Sequence, residues 1–259
     1  MCVGRNCWQG VIQKVRMLLC LALMLWCGAA TAAELRIAVA SNFAAPMQAI
    51  AQAFAETTGQ QVQLVFGATG KHYAQIRNGA PFSAFFAADT ERPKLLEDEG
   101  VAQPGSRFTY AIGKLVLWSP HPDVVDAHAD VLNHHRLRYL AVANPKLAPY
   151  GQAAMQVLRA QGVFSAWQTR MVRGENIGQT FQFIKSGNVE LGFVALSQVK
   201  KPGMAIKGSY WMPPASSYDP IEQQAVLLRD DAVARNFLAF VASAQGQQII
   251  RNYGYETVP

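Results

Sequence analysis

Five uncharged residues, Ser41, Asn42, Thr69, Tyr150 and Ile177, stand where an apolar run gives way to a helical pattern. They occupy four short switches: Ala40-Ser41-Asn42, Gly67-Ala68-Thr69-Gly70, Ala148-Pro149-Tyr150-Gly151 and Glu175-Asn176-Ile177-Gly178. The first N–H groups of a helix have no intrahelical acceptor and carry the positive end of its dipole, so each switch is a donor site for an anion. Ser41 and Thr69 add hydroxyls, Asn42 a carboxamide and Tyr150 a phenol. Ile177 has only its main-chain N–H to give. One such turn alone is equally an ordinary helix cap, and Tyr150 alone is equally a packing residue.

Four turns at equivalent places carry a stronger implication. Neutral donors converging in a dry cleft hold a fully deprotonated tetrahedral dianion, such as molybdate, tungstate or sulfate, without an opposing full charge. Phosphate that keeps a proton would lack an acceptor, whereas only size would separate molybdate from sulfate. A nucleotide-type phosphate loop is excluded at the second switch, because Val65 occupies its first glycine position and His72 follows Lys71 where a hydroxyl residue is required.

The elements that must position these turns follow from hydrophobic periodicity. Residues 35–40 read as a buried strand, then Met47, Ile50, Ala51 and Phe54 recur at helical spacing up to Gly59. Residues 61–66 and 84–88 supply two more strands, with helices carrying Tyr73 and Ile76 and then residues 92–99. This alternation predicts a parallel sheet covered on both faces. A continuous strand pattern over 108–118 precedes a second α/β series: strands at 137–143, 171–172 and 191–194, and helices at 152–161 and 180–186. A second long strand at 221–228 and a helical region over 232–251 complete the chain.

The expected fold is therefore α/β, a bilobal clamshell of two α/β lobes joined by two long hinge strands. Lobe I takes 33–112 and returns over 218–259; lobe II takes 113–217. Open α/β sheets bind ligands at the carboxyl ends of strands, where all four donor turns lie, two in each lobe.

Residues 1–16 are basic and free of acid, 17–27 are apolar, and Ala30-Thr31-Ala32 is a small-residue cleavage pattern, so 1–32 read as a signal peptide cut after Ala32 or Ala33. The apolar run is well short of the ~20 residues that span a bilayer. All four cysteines (Cys2, Cys7, Cys20, Cys27) lie within residues 1–32, leaving the mature chain no disulfide or thiol chemistry. Losing Arg5, Lys14 and Arg16 lowers the formal charge from +6 to +3. With no basic run interleaved with aromatics, nucleic acid is not an expected partner.

Two rival chemistries compete with this reading. Asp123, Asp126, His128, Asp130, His134 and His135 form a polar cluster that would suggest a metal-dependent enzyme, but it lies between strands and lacks defined ligand spacing, which favours a solvated loop. Nucleophilic catalysis has no mature cysteine and no G-x-S-x-G elbow to use. No catalytic residue, metal site or cofactor is expected. A binding protein for sulfate or another small anion is the nearer alternative.

Several stretches are more specific than any one turn: Ala40-Ser41-Asn42-Phe43, Phe66-Gly67-Ala68-Thr69-Gly70, Asn78-Gly79-Ala80-Pro81, PGSRFTYAIGKLVLW at 104–118, NPKLAPYG at 144–151 and LGFVALSQ at 191–198. On these the chain resembles the periplasmic molybdate-binding proteins, the solute-binding components of ABC-type transporters, from Leu35 to the Tyr253-Gly254-Tyr255 end. The resemblance implies a type II periplasmic-binding-protein clamshell that closes about a hinge. It implies molybdate, usually with tungstate, held by Ser41, Asn42, Thr69, Tyr150 and Ile177. It also implies a periplasmic monomer recognised by an inner-membrane permease. Thr69 stands where the family often has serine, and Ala195 stands where one branch has a ligand-contacting tyrosine. Arg77, Lys71 and Arg173 are candidates for steering an anion, and equally ordinary surface charges.

Overall fold

The computed structural model describes residues 35–134 and 137–257. The signal peptide assigned to 1–32 lies outside the described residues, as does His135 of the polar cluster. Among the described residues no helix is long and apolar enough to cross a membrane.

The first sheet contains β1 (Arg36–Ala40), β2 (Gln63–Gly67), β3 (Ala84–Phe86), β4 (Phe108–Gly113) and β10 (Ile221–Leu227), in the order β2-β1-β3-β10-β4. The second contains β5 (Leu115–Ser119), β6 (Leu140–Ala143), β7 (Met171–Gly174), β8 (Gly192–Ala195) and β9 (Ser209–Trp211), in the order β7-β6-β8-β5-β9. The two orders match strand for strand, with β1 and β2 corresponding to β6 and β7.

Both sheets are mixed, which corrects the expectation of purely parallel ones. In the first sheet β1 runs parallel to β2 and β3, but β10 is antiparallel to both β3 and β4. In the second, β5 is antiparallel to β8 and pairs with β9. The helical crossovers that give parallel pairing join β1, β2 and β3 in one sheet and β6, β7 and β8 in the other. β5 and β10 each enter their sheet from the other lobe without such a crossover, and both run antiparallel to their neighbours. The pattern over 108–118 is also two strands, since Lys114 separates β4 in one sheet from β5 in the other.

Alternation places the cores. Ile37 and Val39 face Phe43, Met47, Ile50 and Phe54 beneath helix α1 (Ala44–Thr58), while Ala38 faces Ile76 and Leu96 of α2 (Thr69–Arg77) and α3 (Glu91–Asp98) on the opposite side. The second sheet repeats this. Leu140 and Val142 pack with Ala154, Val157 and Leu158 of α4 (Pro149–Ala160), and Ala141 with Ile184 of α6 (Ile177–Lys185). Between them lies the short α5 (Phe164–Trp167), whose Trp167 donates its indole N–H to the Leu132 carbonyl at 2.9 Å. α7 (Leu196–Val199) follows β8 directly, and α8 (Ala232–Ala242) and α9 (Ala244–Asn252) close the chain over the first sheet. With both faces of each sheet covered by apolar residues, the strand ends are held in fixed positions.

Candidate functional site

A 3-10 turn, Ser41–Phe43, follows β1 directly, and α2 opens at Thr69 after β2. In the second lobe α4 opens at Pro149 after β6, and α6 opens at Ile177 after β7. Proline suits the first turn of α4 because its missing N–H would have no intrahelical partner there. The sequence places α4 and α6 three residues further along; in the structure Tyr150 and Ile177 are themselves first-turn residues, which aims their amides outward.

All five predicted residues line one chamber between the lobes, with Ala40, Gly67, Ala68, Ala88, Pro149 and Asn176 among the other walls. No charged side chain lines it. Asn42, Thr69, Tyr150 and Ile177 are buried and Ser41 is partly so. The electrostatics are those of four converging helix N-termini in a poorly solvated space.

Each polar group has a definite employment. Thr69 Oγ1 accepts from the Ala88 N–H at 3.1 Å, which leaves its own proton for the chamber. Ser41 Oγ donates to Asn176 Oδ1 at 3.0 Å and accepts from the Gly178 N–H at 3.1 Å, a link between the lobes. Asn176 Oδ1 also caps α6 by accepting from the Gln179 N–H at 2.9 Å. Gly178 is needed here, because a Cβ at that position would approach Ser41 Cβ to 3.1 Å and Asn176 Oδ1 to 3.0 Å.

Asn42 and Tyr150 turn their side chains away from the expected task. Asn42 Nδ2 donates to Gln223 Oε1 at 2.8 Å and to Tyr255 Oη at 3.0 Å, and Gln223 Nε2 donates to Tyr150 Oη at 3.1 Å. The Asn42 carbonyl accepts from Ser197 Oγ at 2.8 Å and from Tyr255 Oη at 3.0 Å. Tyr110 Oη lies 3.0 Å from both Gln223 Oε1 and the Ala87 carbonyl, which share its single proton. Burial pushes the Tyr110 and Tyr150 phenols well above the ordinary tyrosine range and Tyr255 up to about 12, so all three are neutral. Sequence reasoning missed Gln223, Tyr110, Tyr255 and Ser197. The available signal was alternation in IEQQAVL, which puts Gln223 on the same inward face as Ile221 and Ala225, where a carboxamide is tolerated only when bonded.

The other charged candidates have other duties. Lys71 pairs with Glu175 across the lobes at 2.7 Å, and Arg77 with Glu99 at 2.9 Å on the first lobe. Arg173 is exposed on β7. In the polar cluster, Asp126 Oδ1 accepts from the N–H groups of His128 at 2.8 Å and Asp130 at 3.2 Å, the work of a turn-forming side chain. Among the described residues no group of three or more His, Cys, Asp or Glu side chains is arranged to hold a metal ion.

Comparison with known proteins sharpens the picture. The family profile described as bacterial extracellular solute-binding protein matches residues 35–256. The molybdate-binding protein ModA of Azotobacter vinelandii is 49% identical over 230 residues, covering 88% of this chain and 91% of that protein. The molybdate-binding protein ModA of Rhodobacter capsulatus is 47% identical over 232 residues, covering 88% and 90%. The solved periplasmic molybdate-binding protein of A. vinelandii superposes with a TM-score of 0.84 at 43% identity, covering 87% of this chain and 100% of that one.

Proposed function

Because this chain belongs to the bacterial extracellular solute-binding proteins, we propose that it captures molybdate, and tungstate with it, between its lobes and delivers the oxyanion to the permease of an ABC-type importer. The observation that carries this reading is the uncharged chamber: five residues at four strand-to-helix switches, with no charged side chain among those that line it. Two relatives at 49% and 47% identity that bind molybdate by name support the choice of anion.

The roles follow from the bonding pattern. The Thr69 hydroxyl and the main-chain N–H groups of Asn42, Thr69, Tyr150 and Ile177 donate to the oxyanion, and Ser41, whose one hydroxyl proton is held by Asn176 Oδ1, lines the chamber beside them. Charge-assisted bonds of this kind are the strong ones, and a desolvated site enhances them. Discrimination against protonated phosphate arises because an O–H on the guest finds no unspent acceptor. Asn176 Oδ1 already takes bonds from Ser41 Oγ and the Gln179 N–H. Guest and protein undergo no covalent change, and the cycle needs no cofactor. The protein acts as a periplasmic monomer whose closed, loaded form is the one the permease recognises.

Calorimetry of the mature protein with molybdate, tungstate, sulfate and phosphate tests the reading. Tight binding of molybdate and tungstate, with phosphate silent, is the expected result. Tight sulfate binding without molybdate binding would transfer the assignment to sulfate, and silence with all four would remove it.

A further inference from the structure

Gln223 is fully buried in the middle of β10, and each half of its carboxamide serves a different lobe. Oε1 accepts from Asn42 Nδ2 at 2.8 Å and from Tyr110 Oη at 3.0 Å, both in the first lobe. Nε2 donates to Tyr150 Oη at 3.1 Å, on the first turn of α4 in the second lobe. With Asn42 Nδ2 as the donor, a flipped Gln223 carboxamide would set two donors against each other. The junction lies where the chain changes sheets. An ideal Cβ on Gly113 would meet Tyr150 Oη at 2.1 Å and Gln223 Nε2 at 2.6 Å, so the two groups meet in the space a side chain at the last residue of β4 would fill.

We propose that Gln223 is a positioning residue for the anion chamber. By joining the Asn42 turn of one lobe to the Tyr150 turn of the other at the hinge, its carboxamide sets the relative placement of two anion donors that it does not itself supply. This rests on the function proposed above and deepens it. Both Nδ2 protons of Asn42 are directed to Gln223 and Tyr255, and the Tyr150 phenol meets Gln223, so these two residues reach the guest through main-chain N–H groups. Their polar side chains act behind the wall. Thr69 provides the contrast, since its hydroxyl bonds Ala88 and belongs to no part of this junction.

A double-mutant cycle separates this from direct contact between phenol and guest. Molybdate dissociation constants are measured calorimetrically for wild type, Gln223→Met, Tyr150→Phe and the double variant, with circular dichroism and thermal melting to confirm folding. Each single change is expected to weaken binding roughly tenfold, and the pair roughly tenfold to twentyfold instead of a hundredfold, because both break the same link. Gln223→Met combined with Thr69→Val should multiply instead. Multiplying effects for Gln223→Met and Tyr150→Phe, or a Gln223→Met affinity within twofold of wild type, would overturn the inference while leaving molybdate capture intact. A wild type that binds no tetrahedral dianion would overturn both. Should Gln223→Met not fold, Asn42→Ala replaces it in the cycle, since it breaks the other bond of the same carboxamide link, and the same coupling with Tyr150→Phe is expected.

Discussion

The lobes meet in two chemically opposite ways. At the hinge the contacts are buried and uncharged: Gln223 to Tyr150 at 3.1 Å, and Ser197 to the Asn42 carbonyl at 2.8 Å. At the exposed rim they include Lys71 to Glu175 at 2.7 Å, whose side chains are 51% and 43% exposed, and Arg92 reaching the Lys146 carbonyl at 3.4 Å. A solvated ion pair of this kind contributes little and is screened by salt, whereas a buried amide deprived of its partner is costly. The buried contacts therefore resist separation, and the rim contacts would be the first to yield in the proposed opening.

The largest test of this contrast is Gly113→Val, which drives a side chain into the space held by Tyr150 Oη and Gln223 Nε2. A loss of molybdate affinity of roughly a hundredfold or more and a clear drop in melting temperature are expected, of the class that overpacking produces at about 1–3 kcal/mol or above. Next comes Thr69→Val, which removes a hydroxyl from the chamber and leaves the Ala88 N–H unpaired. Calorimetry should show a loss of roughly 1.5–3 kcal/mol, the scale of a hydrogen bond to a charged group.

The third test is alkaline titration. The folded phenols of Tyr110, Tyr150 and Tyr255 titrate above the ordinary value of 10.0. Their contribution is complete below that value and is lost as pH rises through the folded values, about 12 for Tyr255. Stability should fall by about 1.4 kcal/mol per pH unit for each phenol within that window, and it should show no dependence on these groups from pH 6 to 9. Melting curves across the two ranges check this. The smallest effect belongs to the rim: Lys71→Ala or Glu175→Gln should change affinity by less than about 1 kcal/mol, with the difference vanishing in high salt. A Lys71 effect equal to that of Gly113→Val would break the comparison.

Much of the scaffold was readable because it depends on local pattern. Ile37, Val39, Met47, Ile50 and Phe54 announce β1 and α1, and Gly59 ends that helix with φ 71°. The five chamber residues were readable for the same reason, each sitting at a strand-to-helix switch. What local pattern could not carry was long-range pairing. Periodicity cannot show that residues 108–118 belong to two sheets, because both strands are apolar and only Lys114 marks the crossing. β9 at Ser209–Trp211 was hidden by its three-residue length beside Pro213 and Pro214. The directions of the Asn42 and Tyr150 side chains depend on Gln223, 181 and 73 residues away in sequence.

The matching strand orders of the two sheets have a consequence for the guest. Equivalent strands, β1 and β2 in one half and β6 and β7 in the other, each end in a donor turn, so the host is built from a topologically twinned pair. A tetrahedron possesses twofold axes. For the tetrahedral oxyanion proposed above, a receptor assembled from matched halves would meet one pair of oxygens with each half.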